Sequence, residues 1–241
     1  MAEPRELIER IEREARVTDA PGERFSGYGV MGLPFASGHI LGLRRFPASS
    51  IGPGYTSVWH RDPAGRWTFF QSAPPEQACT RYFGRDVAEA PVREVRIDWT
   101  GPRSMRVTIV GELDWQLSLA SSAVTRLMNG MTAVMPDALW RNGAMLRAMG
   151  VFAGIALRAG RLGMAGTASN GQRFIANPLR IWLIPESRAV VRGVDLGPVG
   201  PAPEQAHLGD FWIPQRGILA IGRAFFERYD PARHAAAART T

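Results

Sequence analysis

The densest group of reactive side chains in this sequence lies in residues 54–62, which read Gly-Tyr-Thr-Ser-Val-Trp-His-Arg-Asp. Because successive side chains of a β-strand point to opposite faces, Tyr55 and Trp59 would share one face, and His60 and Asp62 the other. A histidine two residues from an aspartate can form an acid/base pair in which the carboxylate orients the imidazole. The opposite face would offer a phenol and an aromatic wall to a substrate. Only one of these faces can point into a cavity.

Asp62 also has a structural interpretation. It begins the turn Asp-Pro-Ala-Gly, where its carboxylate would cap the turn instead of orienting His60. His39, near the start of the preceding predicted strand, is a further acid/base candidate. The predicted catalytic set in this part of the chain is therefore His39, His60 and Asp62.

The loop at residues 209–217 places two large aromatic residues and two opposite charges in a frame of glycine and proline. It would form the wall of a site, with Asp210 as general acid or base and with Trp212 and Arg216 contacting the substrate. The alternative is a structural corner that an Asp210–Arg216 ion pair holds together.

Residues 122–160 interrupt the strand pattern with apolar residues at helical spacing, which predicts a two-helix insertion. Methionine offers adaptable apolar surface, so a role in ligand binding competes with simple filling of the core. The predicted ligand-facing residues of this segment are Met128, Met131, Met145, Met149 and Phe152. Seven arginines and one acid lie between positions 120 and 180. This charge favours an anionic ligand at a cavity entrance, or contact with a membrane surface; a soluble, arginine-rimmed helix pair is the alternative.

The elements that would position these residues are mostly strands. Residues 3–16 predict a charged helix that packs on the main body or at a homodimer interface, and residues 19–37 predict a loop punctuated by Gly and Pro. Ser-Asn-Gly-Gln at 169–172 predicts a hairpin with a type I′ turn. Period-two alternation predicts strands at 38–46, 55–61, 66–72, 94–99, 105–111, 114–119, 179–184, 189–194 and 218–226.

Many short antiparallel strands must close on themselves or form two layers, because open edges invite aggregation. The sequence therefore predicts a mainly β fold: an antiparallel, lipocalin-like β-barrel of about 8–10 strands, whose interior has room for one small ligand. A single domain over 1–241 would include an N-terminal helix within 1–18 and the helical insertion. Acid/base groups in the cavity would favour an enzyme, a wholly apolar cavity would favour a carrier, and a filled interior would contradict both.

All 29 basic residues of the chain are arginine, within a formal net charge of +7. The absence of lysine excludes an amine nucleophile, a Schiff base and a P-loop lysine. The sequence has one cysteine and four scattered histidines, so no metal site is expected. It contains no nucleotide-binding motif, so no organic cofactor is expected either. Because the arginines are spread along the chain, nucleic-acid binding is not expected. The N-terminal sequence lacks an apolar signal segment, which predicts a cytoplasmic location.

Residues 38–70 combine an apolar strand, a Pro-Ala-Ser-Ser linker, Gly-Tyr-Thr-Ser-Val-Trp and an Arg-Trp-Thr return strand. This stretch resembles the lipocalin-like carotenoid 1,2-hydratase (hydroxyneurosporene synthase) family. The resemblance covers a small part of the chain and implies a β-barrel module that acts on long polyenes. It carries over no catalytic residue.

The leading functional hypothesis is an enzyme without an organic cofactor that acts on a hydrophobic small molecule such as an isoprenoid or a polyketide. Its acid/base chemistry would be hydration, isomerisation or cyclisation, which a dry pocket supports by shifting pKa values and protecting intermediates. The competing hypothesis is a non-catalytic carrier of the same ligands, or a membrane-surface module.

Overall fold

The computed structural model describes residues 3–236, and the ends of the predicted domain, 1–2 and 237–241, lie outside the described residues. The helices are α1 (Pro4–Glu14), α2 (Thr80–Phe83), α3 (Ala123–Ala133), α4 (Asp137–Trp140) and α5 (Gly143–Ala156). The first strands are β1 (Glu23–Pro34), β2 (Ile40–Ser49), β3 (Tyr55–Arg61), β4 (Trp67–Gln71), β5 (Val87–Glu89), β6 (Arg96–Trp99), β7 (Ser104–Ile109) and β8 (Leu113–Ala120). They are followed by β9 (Ala165–Thr167), β10 (Arg173–Val191), β11 (Val194–Asp195), β12 (His207–Leu208), β13 (Phe211–Trp212) and β14 (Ile218–Phe226).

One large sheet dominates the fold, which is mainly β as predicted. Its strand order is β5-β4-β3-β2-β1-β14-β10-β8-β7-β6, and β9 and β11 add to β10. Every pairing in it is antiparallel except that of β4 with β5. Within the described residues the end strands β5 and β6 do not pair with each other, so no closed barrel forms. Apolar residues of α1 pack beside Ile97 and Trp99 of the short strand β6, and a helix that covers a sheet edge protects it without closure.

The two arms of the sheet curl around a shared core. Val58 and Phe70 of one arm belong to the same buried cluster as Val107 and Trp115 of the other. We call the sheet face that meets this core the inner face, and the opposite one the outer face. Side chains fill most of the space between the arms, and beside α1 an open groove of about 530 Å³ is lined by Tyr28 and Arg45 of the inner face and by Trp99 of β6. This groove is open to solvent and is not the enclosed cavity of the barrel hypothesis.

Strand β1 occupies residues that the sequence predicts as a loop. It is a central strand that pairs with both β2 and β14. A Cβ atom at Gly27 or Gly29 would collide with the backbone carbonyl of Arg45 or Leu43 on β2. These glycines therefore allow close approach of two strands, a use of glycine that composition alone does not separate from a loop.

Strand β10 is continuous over residues for which the sequence predicts two strands. Its two prolines, Pro178 and Pro185, lie where its register with β14 and with β8 shifts. Proline lacks the N–H that a ladder needs and is tolerated at such bulges, so it bends this strand without ending it.

The helical insertion consists of three helices, α3 to α5, where two are predicted. Ser122 caps α3 in a reciprocal capping box with Thr125, and the side chain of Asn142 caps α5. Asn129 bonds both the N–H and the C=O of Ile181, and the hydroxyl of Thr132 donates to the Leu179 carbonyl. These bonds fix α3 along β10.

The predicted hairpin at 169–172 is present and joins β9 to β10. Only Gly171 has a positive φ, of 95°, so the turn is not type I′, which needs two such residues. Asn170 is buried, and its side chain donates to the carbonyl of Arg81. The asparagine therefore anchors the hairpin to α2.

Candidate functional site

A cavity of about 200 Å³ lies on the outer face of the sheet, under the helical insertion. Apolar side chains of α3 and α5 form its roof, and the loop around Leu162 and Met164 closes one side. Phe211, Trp212 and Pro214 form another wall. Polar groups enter this lining mainly from the sheet.

The cavity exists because the sheet beneath the insertion carries very small side chains. Its floor is built from Gly27, Ala176, Ala220 and Gly222. Gly27 of β1 and Gly222 of β14 are register partners, so two glycines lie side by side on adjacent strands. Helices that rest on such a floor leave a space that larger residues would fill.

Arg44 is the most unusual group in the cavity lining. It lies on β2, is 5% exposed, and forms no ion pair with a carboxylate of the described residues. Its guanidinium carbon lies 4.3 Å from the ring centroid of Trp59 and 5.1 Å from that of Phe211. Burial lowers the pKa of Arg44 to about 10, so the side chain stays cationic at neutral pH.

The hydrogen bonds of Arg44 leave part of its guanidinium free. Nη1 donates to the carbonyls of Val30 and Leu43, and Nη2 donates to that of Met31. A guanidinium carries five N–H groups, so Nε and one hydrogen of Nη2 have no acceptor among the described residues. Elsewhere in this chain the same two nitrogens hold carboxylates, as in Arg45–Glu12 and Arg106–Asp114.

Asn177 is a second polar group of the lining that lacks a partner. The residue is 5% exposed, and its Oδ1 accepts no hydrogen bond from the described residues. A buried amide oxygen without a donor costs about 1–3 kcal/mol, which a ligand can recover. Arg44 and Asn177 thus offer an anion contact and an acceptor in a mostly apolar lining, which also includes Asn129, Thr132 and a second cation, Arg223.

Several predicted ligand-facing residues come together here. The cavity lining includes Met128, Met131, Met149, Phe152 and Trp212. Met145, in contrast, lies on the exposed side of α5. Arg216 points its guanidinium at the carbonyl of Leu157 and is absent from the lining.

Tyr55 and Trp59 lie on the outer face but beneath the cavity and not at its surface. Both are fully buried in an aromatic cluster. The Tyr55 hydroxyl lies 3.4 Å from Sγ of Cys79, and burial raises the pKa of that thiol. Trp59 contacts two groups of the lining, the Arg44 cation and the ring of Phe211.

The predicted catalytic histidines pair with each other away from the cavity. Nδ1 of His39 lies 2.9 Å from Nε2 of His60, and the two rings are stacked. Burial, followed by the nearby His39, lowers the pKa of His60 to about 4. The Asp62 carboxylate accepts hydrogen bonds from the backbone N–H and from Nε of Arg66. Asp62 therefore caps its turn, as in the structural interpretation of the sequence, and does not orient His60.

Asp210 does not reach the cavity either. Its carboxylate accepts a hydrogen bond of 2.8 Å from the N–H of Thr167, and it forms no ion pair with Arg216. The predicted Asp–Arg corner is therefore absent. Asp210 lines a separate open groove of about 1240 Å³ that also contains Arg147, Arg158 and Arg161.

Arg44 and Asn177 are not among the site residues that the sequence predicts. A signal for Arg44 existed: on the predicted strand 38–46 it shares one face with Ile40 and Phe46, so a cation stands in an apolar row. Asn177 precedes the proline that made β10 look interrupted, and nothing local marked it.

The rest of the described chain offers no metal cluster, since residues 3–236 contain no group of three or more His, Cys, Asp or Glu side chains placed to hold a metal ion. Over the same residues, each helix is too short or too polar to cross a bilayer.

No protein-family model matches this sequence. No curated protein matches it significantly. Among solved structures, an acetoacetate decarboxylase from Legionella pneumophila is similar with a TM-score of 0.41 at 9% identity, over 94% of this chain and 95% of that chain. A likeness of this size assigns neither a family nor an activity to this chain.

Proposed function

We propose that this chain binds a small apolar molecule with an anionic head, foremost a carboxylate, in the cavity under the helical insertion. The observation that carries the proposal is Arg44, a buried cation that lines an apolar cavity without a carboxylate partner among the described residues. Met128, Met149 and Phe152 would surround the apolar part of the ligand.

The energetics favour an anion at this position. A charge buried without a counter-ion carries a penalty of several kcal/mol, which a bound carboxylate relieves. Nε and Nη2 of Arg44 would take the two carboxylate oxygens in the fork geometry, which is stronger and more directional than a single bond. The free Oδ1 of Asn177 would accept from a hydroxyl or from the protonated oxygen of a ligand.

The cavity volume limits the ligand. A cavity of about 150 Å³ holds benzene, so about 200 Å³ suits an acid of roughly ten non-hydrogen atoms. This narrows the predicted isoprenoid or polyketide to a short acid, or to the acid end of a longer molecule. The tail of a longer molecule would leave between Met131 and Phe152, which are both exposed.

A second candidate adds turnover of the same ligand class, by a lyase or isomerase without an organic cofactor. The observation that favours it is again the Arg44 cation, because a fixed positive charge in a water-poor cavity stabilises a developing oxyanion. The predicted acid/base residues His39, His60, Asp62 and Asp210 lie outside this cavity, so the chemistry would rest on Arg44 and water.

The binding proposal is tested by calorimetry with octanoate and 1-octanol, which share a chain and differ in charge. We expect octanoate to bind at least about tenfold tighter to the wild type, and this preference to vanish in Arg44→Met. Arg45→Met is the matched control, because Arg45 is adjacent to Arg44 in the chain but lies on the inner face, where it pairs with Glu12. Equal affinities for the two probes, or an unchanged preference in Arg44→Met, would refute the proposal.

Native mass spectrometry of freshly purified protein separates carrier from enzyme. A co-purified acid that is recovered unchanged after incubation at saturating concentration supports a carrier. Conversion of that acid by the wild type, with loss of conversion in Arg44→Met, supports the second candidate.

A further inference from the structure

The helical insertion exposes an unusually apolar surface. Leu127 on α3 and Val134, directly after it, are 63% and 81% exposed, and Val151 and Ile155 on α5 are 64% and 75% exposed. Large contiguous apolar patches are uncommon on soluble monomers and mark interaction sites. We call this surface of α3 and α5 the apolar platform.

Arginines surround the apolar platform. Five exposed arginines lie on the insertion and just after it, at positions 126, 141, 147, 158 and 161, against the single acid Asp137. None of the five forms an ion pair within residues 3–236, although twelve other arginines of the described residues do. An apolar surface with a cationic rim complements a bilayer whose headgroups are anionic.

Exposed apolar side chains of the same two helices also reach the cavity, whereas Val151 and Ile155 line the open groove that contains Asp210. Met131 and Phe152 belong to the cavity lining and are also more than half exposed. An apolar molecule could therefore pass between a bilayer and the cavity without crossing bulk water.

We propose that the apolar platform docks on a membrane surface that contains anionic phospholipids. With 11 residues in α3 and 14 in α5, the helices are too short to cross a bilayer and would lie in its plane. Leu127, Val151 and Ile155 would enter the headgroup–acyl boundary, and the arginines would contact phosphates. The cavity mouth would then open toward the lipid.

A second copy of the chain fits this surface less well. A twofold interface brings the same patch of each copy together, so the five arginines would face their own equivalents with one acid per copy to offset them. Anionic headgroups meet the same arginines with attraction. A membrane partner therefore accounts for both the apolar platform and the arginines around it.

Vesicle flotation of the full chain tests this proposal, with phosphatidylcholine vesicles compared with mixed phosphatidylcholine–phosphatidylserine vesicles. We expect binding to the mixed vesicles only, and a decrease with rising salt. The variant Leu127→Gln/Ile155→Gln should bind at least about tenfold more weakly. Each of Arg126→Gln and Arg147→Gln should weaken binding about fivefold.

Val110→Gln/Val194→Gln is the matched control, because it removes two exposed valines that lie away from the platform, one in the turn after β7 and one on β11. It should leave vesicle binding unchanged, and circular dichroism checks that all variants fold. Absence of flotation with mixed vesicles, or flotation that Leu127→Gln/Ile155→Gln leaves unchanged, overturns the proposal. A dimer in sedimentation analysis that Leu127→Gln/Ile155→Gln dissociates would assign the platform to a second copy instead. Octanoate binding is measured without vesicles, so its result is independent of this one.

Discussion

Arg44 lies on the outer face of β2, with its guanidinium carbon 4.3 Å from the ring centroid of Trp59. The next residue of the strand, Arg45, has a carboxylate partner. Arg45, on the inner face, holds the carboxylate of Glu12 through Nε and Nη2. Two adjacent arginines of one strand thus have different partners: Arg45 has a counter-ion, and Arg44 has only aromatic rings and backbone carbonyls. We therefore interpret Arg45 as a structural residue and Arg44 as a ligand-binding one.

Arg44→Met should leave the free energy of unfolding of the ligand-free protein within about 1 kcal/mol of the wild type, or above it. Removing an uncompensated buried charge offsets the loss of its hydrogen bonds to carbonyls. Arg45→Met should lower stability by about 1 kcal/mol, because Glu12 loses its partner. Urea unfolding of both variants checks the difference. A large loss in Arg44→Met alone would make Arg44 a structural element of the sheet and not a ligand group.

The sequence predicted the strands well where the alternation was clean. Strands β3 and β14 begin and end at the predicted residues, 55–61 and 218–226. It failed where Gly or Pro serve tertiary contacts, as at Gly27 in β1 and Pro178 in β10. Local patterns cannot distinguish a glycine that frees the chain from one that admits a neighbouring strand. The resemblance of residues 38–70 to carotenoid hydratases stays a prediction.

Gly27→Ala should lower the free energy of unfolding by about 3 kcal/mol, because the new Cβ would collide with the Arg45 carbonyl and push β1 and β2 apart. Gly130→Ala is the contrasting change. Gly130 lies inside α3 with open space around it, so alanine should stabilise the protein by about 1 kcal/mol. Thermal unfolding of the two variants should therefore shift in opposite directions. A harmless Gly27→Ala would contradict the tight β1–β2 contact.

The candidate site was predicted only in part, for a physical reason. The methionines and Phe152 could be predicted, because helical periodicity and composition are properties of the local sequence. The cavity depends on small residues of three strands far apart in sequence, Gly27, Ala176 and Ala220, which only the sheet order brings together. The predicted catalytic residues do not meet at this cavity, because His60 pairs with His39 and Asp62 caps its own turn.

Ala220→Leu should fill part of the cavity, raise the free energy of unfolding by about 1 kcal/mol and abolish octanoate binding. Ala189→Leu makes the same change in the filled core of the inner face, where Ala189 is fully buried. It should destabilise the protein by about 1–3 kcal/mol through overpacking. Urea unfolding and calorimetry of both variants measure the contrast. Equal destabilisation by the two leucines would contradict a hollow outer face and a filled inner one.

The His39–His60 pair should make stability fall in mild acid. Burial and the neighbouring His39 lower the pKa of His60 to about 4 in the folded chain, whereas an unfolded histidine titrates near about 6.5. Between these values the unfolded state binds a proton that the folded state does not, so stability decreases as the pH falls from about 6.5 to about 4. The expected contribution of His60, after allowance for its partial exposure, is about 2 kcal/mol.

His60→Gln removes this titration and keeps a hydrogen-bonding group beside His39. Between about pH 6.5 and pH 4, the free energy of unfolding of this variant should therefore fall by about 2 kcal/mol less than that of the wild type. Urea unfolding midpoints at neutral pH and at the lower end of the window measure the loss. Asp62 and Arg192 also lie near His60, and their opposing effects are already contained in its pKa of about 4. His207→Gln, at an exposed histidine, is the control and should follow the wild-type curve. Superimposable pH profiles for wild type and His60→Gln would show that the histidine pair does not govern acid stability.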